Sequence, residues 1–395
     1  LVRLSGGTPE TLASSFAVSH AMLLNVLDRP GDGCEAMKRL LTDNHETRKA
    51  QRSHIRRAIA VYRSLLAADI VETDPLRVNL DLQDDFRLNQ PLSLFVVEAI
   101  DALDQEAPDY HLQVISLVEA ILEDPMAVLI AQKDKAKDTL ISELKSQGVE
   151  YEERMDRLEE VSWPRPEADF IEPAFEIFAR HHPWVGGDRV SPKSVAREML
   201  EFAETFNQFV ARYGLKRSEG LLLRYLTDVY KTLVQTVPMD LSNEDLDDVI
   251  EWLGAMIRRV DSSLLDEWER LRDPDPVAAD VDSPDEPHDI TANQRAFRVL
   301  VRNEMFRLVT ELAARRTDLL ADDVAAYWDE HDWIGIDADA RSGQWFDFDP
   351  DAQMATQILV DPDGHHEWAL EAEVDLDASR SEDRAVVRPM RVTRR

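Results

Sequence analysis

Residues 218–237 read SEGLLLRYLTDVYKTLVQTV, a stretch with strong helical periodicity. Its apolar residues recur at spacings of three and four, which places them on one face of a helix. They are Leu222, Tyr225, Val229 and Leu233. The next residue, Pro238, lacks the backbone N–H that a helix interior requires. The sequence therefore predicts one long helix from near Ser218 to Val237.

The same periodicity extends in both directions from this helix. Upstream, a Ser-Pro start followed by regularly spaced apolar residues predicts a single helix of about six turns over 191–214. Downstream, a further helix is expected over 244–271. Helical patterns also occupy 111–123 and 126–161, the latter with a break near its glycine. These segments predict a helical bundle over residues 101–272.

The first part of the chain has a different pattern. A helical stretch runs from residue 45 to Ala68, and two short extended runs follow it, one starting at Ile70 and one over 77–82. Helices followed by a short strand pair indicate a winged-helix-like module. We expect this module within residues 1–100.

An acidic segment separates the bundle from the end of the chain. Residues 273–289 read DPDPVAADVDSPDEPHD, with seven carboxylates, four prolines and no lysine or arginine. Like charges and prolines resist burial and regular pairing, so this segment is predicted to be an extended linker.

Residues 290–395 carry both helical and strand patterns. A helix is expected from Asn293, and residues 368–377 alternate between apolar and acidic side chains, as in a half-buried strand. Asp363-Gly364 offers the turn that would pair this strand with residues 357–360. We therefore predict a mainly α protein, a winged-helix-like module plus a helical bundle, with a small C-terminal α+β domain whose antiparallel sheet could be cone-shaped.

Composition restricts the possible functions. The net charge is −33, from 78 acidic and 45 basic residues, which argues against a surface that attracts phosphate everywhere. The single cysteine, Cys34, excludes an intramolecular disulfide and a cysteine-based zinc site. No apolar run approaches the ~20 residues that span a bilayer, so we expect a cytoplasmic protein without a membrane partner. We predict no catalytic residues and no metal site in this chain.

Two groups of basic residues stand out against this acidic background. One group lies in residues 47–68, a stretch without carboxylates. Its candidate nucleic-acid contacts are Arg48, Arg52 and Arg56, and it also contains Lys49, Arg57 and Arg63. The other repeats every seven residues along the predicted long helix: Arg217, Arg224 and Lys231. Arginines at such spacing can bind successive phosphates of a single strand. The alternative is an ordinary solvated or ion-paired helix face.

Two motifs carry a family resemblance. The first combines Gly7-Thr8-Pro9, Leu12, Ser14 and Phe16 with Met22-Leu23-Leu24-Asn25-Val26-Leu27. The second is RSEGLLLR at 217–224, with Glu219 and Gly220 as its motif residues and Leu221 where relatives carry Ser or Thr. These stretches resemble the region after the RecA-like domains of superkiller-like DExH-box helicases of superfamily 2. The wider chain is similar to the actinobacterial DEAD/DEAH-box type, which has an uncharacterised C-terminal domain.

The resemblance implies an accessory, strand-guiding role. In that family a long ratchet helix crosses the exit of the nucleic-acid channel, and residues 218–237 match it, with Arg224 nearest the strand. The implied partners are single-stranded RNA or DNA and RecA-like motor domains of the same polypeptide. The phosphate-loop motif G-x-x-x-x-G-K-[ST] does not occur in the chain, so no cofactor is expected here, and ATP and magnesium belong to the motor domains missing from it.

A second class of function stays open at this stage. The acidic linker and residues 290–395 could instead recruit a protein partner, with the helical part serving as a scaffold. A third alternative is an independent small-ligand domain at the C-terminus, because cone-shaped sheets often hold a pocket.

Overall fold

A computed structural model describes most of the chain. The described residues are 18–27, 31–68, 70–73, 76–78, 88, 92–185, 188–202, 204–261, 263, 265, 268, 289–315, 320–337, 339–382 and 384–395. The Gly7-to-Phe16 part of the first motif and linker residues 273–288 lie outside this set.

Helices dominate the described residues before position 262. Their bounds are α1 His20–Leu27, α2 Gly33–Thr42, α3 Arg48–Ala67, α4 Ser93–Ile100, α5 Tyr110–Ile121, α6 Met126–Ser146, α7 Tyr151–Glu159, α8 Ala168–His181, α9 Ala196–Glu201, α10 Phe206–Tyr213, α11 Glu219–Thr236 and α12 Glu244–Asp261. No helix among the described residues is both long enough and apolar enough to cross a bilayer.

A short hairpin follows the third helix. Strand β1, Val71–Thr73, pairs with β2, Leu76–Val78, in antiparallel register, with Val71 opposite Val78. The strand pair expected after this helix is present, although residues 79–82 of the predicted second strand lie outside the described part of the chain.

The predicted long helix is confirmed as α11. The side chains of Leu222, Tyr225, Val229 and Leu233 are buried, as their spacing requires. This face packs against α4, α5 and α12, so α11 lies inside the bundle with one edge facing outward.

The single helix predicted over 191–214 is wrong. The structure contains two helices here, α9 and α10, because Thr205 starts a new one with a capping box to Gln208. The expected start at Ser191-Pro192 is not helical either, since α9 begins at Ala196. Its first backbone N–H groups bind the carboxylate of Glu119 on α5, a cap that comes from a distant part of the chain.

The C-terminal part combines helices with a sheet. Its elements are α13 Gln294–Ala313, α14 Ala321–Glu330, β3 Phe346–Asp349, β4 Met354–Ile358, β5 Trp368–Val374, α15 Leu376–Glu382 and β6 Val387–Arg394. The four strands pair antiparallel in chain order, and the hairpin around Asp363-Gly364 pairs Gln357 with Leu370 as predicted. The fold class, mainly α with a C-terminal α+β part, is therefore confirmed.

Buried apolar residues form two large clusters. One spans the helical part and the other joins α13 and α14 to the sheet. Helix α13 takes part in both, because Val299 belongs to the first cluster and Val301 to the second. It also packs along α12, so one helix links the bundle to the sheet.

Candidate nucleic-acid interface

The outward edge of α11 carries the residues of the second motif. Glu219 opens the helix, and both it and Gly220 are exposed. A Cβ atom built at Gly220 would meet no atom within 4 Å, so the backbone is open to a ligand at this point. The side chain of Arg224 is 74 % exposed, one turn further along.

Charge along this edge is mixed. Arg217 lies in the turn before the helix, is exposed, and forms no ion pair with any described residue. Arg224 has a carboxylate, that of Asp228, 4.0 Å away. The ammonium of Lys231 lies over the ring of Trp268, 5.6 Å from its centroid. Of the three predicted contacts, Arg217 and Arg224 therefore face outward most freely.

Asp228 lies between two of the basic residues. Burial raises the pKa of its carboxyl, and the charges of Arg224 and Lys231 act in the opposite direction. The carboxylate therefore neutralises part of the positive charge of Arg224 and Lys231. Asp228 follows Arg224 by four residues in the sequence, so the pairing could be predicted. A prediction that considers only the basic residues does not include it.

A buried polar network fixes the orientation of α11. Tyr225 donates a hydrogen bond of 2.9 Å to Glu119, whose carboxylate also accepts the backbone N–H groups of Val195, Ala196 and Arg197. Burial raises the pKa of Glu119, and these hydrogen bonds act to lower it. With Tyr225 held inward, the preceding residue, Arg224, lies on the exposed side of the helix.

The other candidate residues lie on α3. Arg48, Arg52 and Arg56 follow one another at a spacing of four, share one face of the helix, and are exposed. Lys49 and Arg63 are exposed as well. Among the described residues, none of these five cations has a carboxylate within ion-pair distance. We call this set the α3 basic face.

Arg57 does not belong to that face. Its guanidinium donates to the backbone carbonyls of Val18, at 2.7 Å, and Trp184, at 3.2 Å. In the sequence, Arg57 belongs to the basic stretch 47–68. In the structure, its guanidinium contacts the backbone of two distant segments. Its hydrogen bonds connect α3 to other segments, although the residue remains exposed.

Contacts on the opposite side hold α3 in place. Thr47 caps its first turn by accepting from the N–H of Ala50 at 3.2 Å. At its far end, Ser64 lies 2.8 Å from His182 Nδ1 and accepts from the indole N–H of Trp184 at 2.8 Å. This buried side leaves the α3 basic face pointing away from the core.

The two basic surfaces lie on helices with different neighbours. Helix α3 packs against α1, α2 and β1, whereas α11 packs against α4, α5 and α12. The structure therefore gives two separate candidate contacts. The α3 basic face carries the larger uncompensated charge.

One group of possible metal ligands was not predicted. His331, Asp361 and Asp363 bring ligand atoms within 4.8 Å of one another. Their own contacts account for this approach, because His331 Nδ1 is 3.1 Å from Asp363, and Asp361 accepts backbone N–H groups of the following turn. No local sequence pattern indicates this group, since His331 lies thirty residues before Asp361.

Comparison with known proteins identifies a family but no individual relative. The family model described as "Domain of unknown function (DUF3516)" matches residues 1–392. Comparisons with curated proteins and with solved structures each found no match. Because the family match covers almost the whole chain, the protein belongs to the DUF3516 family.

Proposed function

We propose that this chain is the accessory, nucleic-acid-guiding region of an ATP-dependent superfamily 2 helicase. Its α3 basic face and the outward edge of α11 contact the phosphate backbone of single-stranded RNA or DNA. RecA-like motor domains, which are absent from these residues, bind ATP and magnesium and act on the same strand. The protein works in the cytoplasm.

The observation that carries the proposal is the unpaired charge on α3. Carboxylates outnumber basic residues by 78 to 45, and arginines elsewhere, such as Arg197 and Arg307, each pair with two of them. On α3, in contrast, five neighbouring cations face outward without a carboxylate partner among the described residues. Such a concentrated positive face attracts a polyanion.

The motif on α11 supports the same role. Arg224 and Gly220 occupy adjacent turns of one exposed edge, so a strand following this edge meets an open backbone and a guanidinium together. The resemblance to ratchet helices concerns these same residues. Asp228 weakens the attraction between α11 and the strand. Helix α11 therefore binds the strand weakly and lets it slide, whereas α3 binds it more tightly.

Binding to single-stranded oligonucleotides tests the proposal. The triple variant Arg48→Gln, Arg52→Gln, Arg56→Gln should lower affinity for a fluorescent single-stranded oligonucleotide in anisotropy titrations. Losing three phosphate contacts should reduce the slope of log K against log salt by about two, at roughly 0.7 per phosphate on a single strand.

A control variant of equal charge separates local contact from general repulsion. Arg384→Gln, Arg388→Gln, Arg391→Gln removes the same charge from exposed, ion-paired positions of the C-terminal part. It should keep the wild-type slope. An equal loss in both triple variants, or none in either, would refute the α3 contact.

A second candidate function concerns the C-terminal part. Trp333 and Ile336, in the loop after α14, expose 48 % and 51 % of their surface. Large apolar side chains exposed in the same loop favour a protein contact. Residues 290–395 would then recruit a protein partner, and Trp333→Ser should abolish its capture while leaving oligonucleotide binding unchanged.

A further inference from the structure

Five buried N–H donors without acceptors gather where α13 meets the loop after α14. They are Arg302 Nε, Asn303 Nδ2, Arg341 Nε, Arg341 Nη1 and Trp345 Nε1, and none has a hydrogen-bond partner among the described residues. Buried polar groups in proteins are nearly always hydrogen-bonded, so several unpaired donors in one place require an explanation. We call these four residues the donor cluster.

Contacts among these residues show that they converge. Arg341 Nη2 donates to Asn303 Oδ1 at 2.8 Å, and its guanidinium lies over the ring of Phe306 at 5.1 Å. Trp345 packs against the small apolar cluster that contains Phe306. Arg302 is the chain neighbour of Asn303 on α13. The ring of Phe306 covers the guanidinium face, which leaves the N–H groups at its edge for a ligand.

The charges of the two arginines are balanced differently. Arg302 is paired, because its Nη1 lies 3.2 Å from Asp245 and 3.0 Å from Asp248 on α12. Arg341 has no carboxylate within ion-pair distance among the described residues, although only 4 % of it is exposed. Burial and the charge of Arg302 lower its pKa to about 9, with the charge of Glu201 opposing, so it stays cationic at neutral pH. A buried cation of this kind is costly unless an anion accompanies it.

The neighbouring histidine adds no charge to the site. His111 on α5 is buried beside the cluster, and burial is the main cause that lowers its pKa to about 4, with Arg302 and Arg341 contributing in the same direction and Asp245 opposing. Its imidazole is therefore neutral at neutral pH. Among the described residues, the site combines a guanidinium that has no ion pair with several donors that have no acceptor.

We propose that the donor cluster binds one small tetrahedral oxyanion of the phosphate or sulfate type. Arg341 supplies the charge and two donors, and Asn303, Trp345 and Arg302 supply one donor each. Because Arg302, Asn303 and Arg341 are all at most 6 % exposed, the occupant is a free ion and not a phosphate of a polymer. The inference does not depend on the proposed function.

Thermal unfolding of the full chain tests this site. Sodium phosphate, titrated at constant ionic strength against sodium chloride, should raise Tm in a saturable way by a few degrees, since a ligand that binds only the folded state stabilises it. Isothermal titration with phosphate should give one site per chain. A Tm that depends on ionic strength alone would overturn the proposal.

Two variants and a control make the test specific. Arg341→Met should remove the phosphate response, and Asn303→Asp, which places a carboxylate against the Arg341 guanidinium, should both raise Tm without phosphate and abolish the response. Arg388→Met, at an exposed site paired with Asp375, should retain the full response. A response that survives in Asn303→Asp would also overturn the assignment, whether or not Arg341→Met folds.

Discussion

Glu119 on α5 and Tyr225 on α11 share a buried hydrogen bond of 2.9 Å, and the same carboxylate caps α9. A single side chain thus fixes three helices relative to one another. Its position determines how α11 is rotated, and that rotation decides which residues of α11 face outward.

Substitutions at this pair should destabilise the fold by different amounts. Tyr225→Phe removes one hydrogen bond and should lower the free energy of unfolding by about 1 kcal/mol. Glu119→Gln presents an amide N–H₂ to backbone donors that need an acceptor, so a loss of about 2 to 3 kcal/mol is expected. Urea denaturation at neutral pH measures both. Equal effects would mean that the cap on α9 does not depend on the carboxylate.

Buried histidines should make the protein sensitive to acid. Burial is the main cause that lowers the pKa values of His20 and His111 from 6.5 to about 4. The unfolded chain therefore takes up protons at these rings below about pH 6.5, whereas the folded chain does so only near pH 4. Stability is complete above the upper limit and falls as pH drops through this window, by up to about 3 kcal/mol for each ring.

Unfolding measured across that pH window checks the assignment. His20→Gln should flatten part of the decline, whereas His365→Gln, at an exposed position, should leave the profile unchanged. An identical decline in His20→Gln and in the wild type would contradict the role of His20.

Arg224 and Asp228 should affect binding in opposite directions. Arg224→Ala should weaken single-strand binding by roughly 1 kcal/mol, and Asp228→Asn should strengthen it, because it removes the neutralising carboxylate. Tm should change little in both, since an exposed pair at 4.0 Å contributes little to stability. If Arg224→Ala lowers Tm and leaves binding unchanged, this arginine has a structural role and α11 is not a ratchet helix.

Gly220 offers a test of close backbone approach. Its Cβ position is open, so Gly220→Ala should raise the free energy of unfolding by about 0.5 to 1 kcal/mol, the usual gain in a helix. If a strand follows this edge, the same change should weaken oligonucleotide binding. Unchanged binding in a stabilised Gly220→Ala variant would show that the backbone here makes no contact with the strand.

Gly254 on α12 serves as the matched control. A Cβ atom there would lie 2.9 Å from the ring of Tyr230, so Gly254→Ala should lower stability without changing oligonucleotide affinity in the folded protein.

The sequence predicted elements whose causes are local. Helix α11 and the hairpin at Asp363-Gly364 depend on residue spacing and on a turn dipeptide, and both were found where expected. The break between α9 and α10 was missed, although Thr205 and Gln208 form a capping box that neighbouring residues suffice to define. The start of α9 was missed for another reason, because Glu119 lies 76 positions before Val195.

For the candidate site residues, too, features with a local cause could be predicted and features with a long-range cause could not. The exposure of Arg48, Arg52 and Arg56 follows from a local pattern on α3. One hydrogen bond of Arg57 depends on Trp184, 127 positions away, and the donor cluster depends on contacts between α13 and a later loop. Such long-range contacts leave no trace in local periodicity.

Helix α13 is constrained on two sides at once, since Val299 and Val301 belong to different cores. One inserted or deleted residue rotates every following side chain by about 100°. Both cores would then lose their register together, and no repacking of one could restore the other. Single substitutions in α13 can therefore be accommodated one core at a time, whereas a change in its length disturbs both cores.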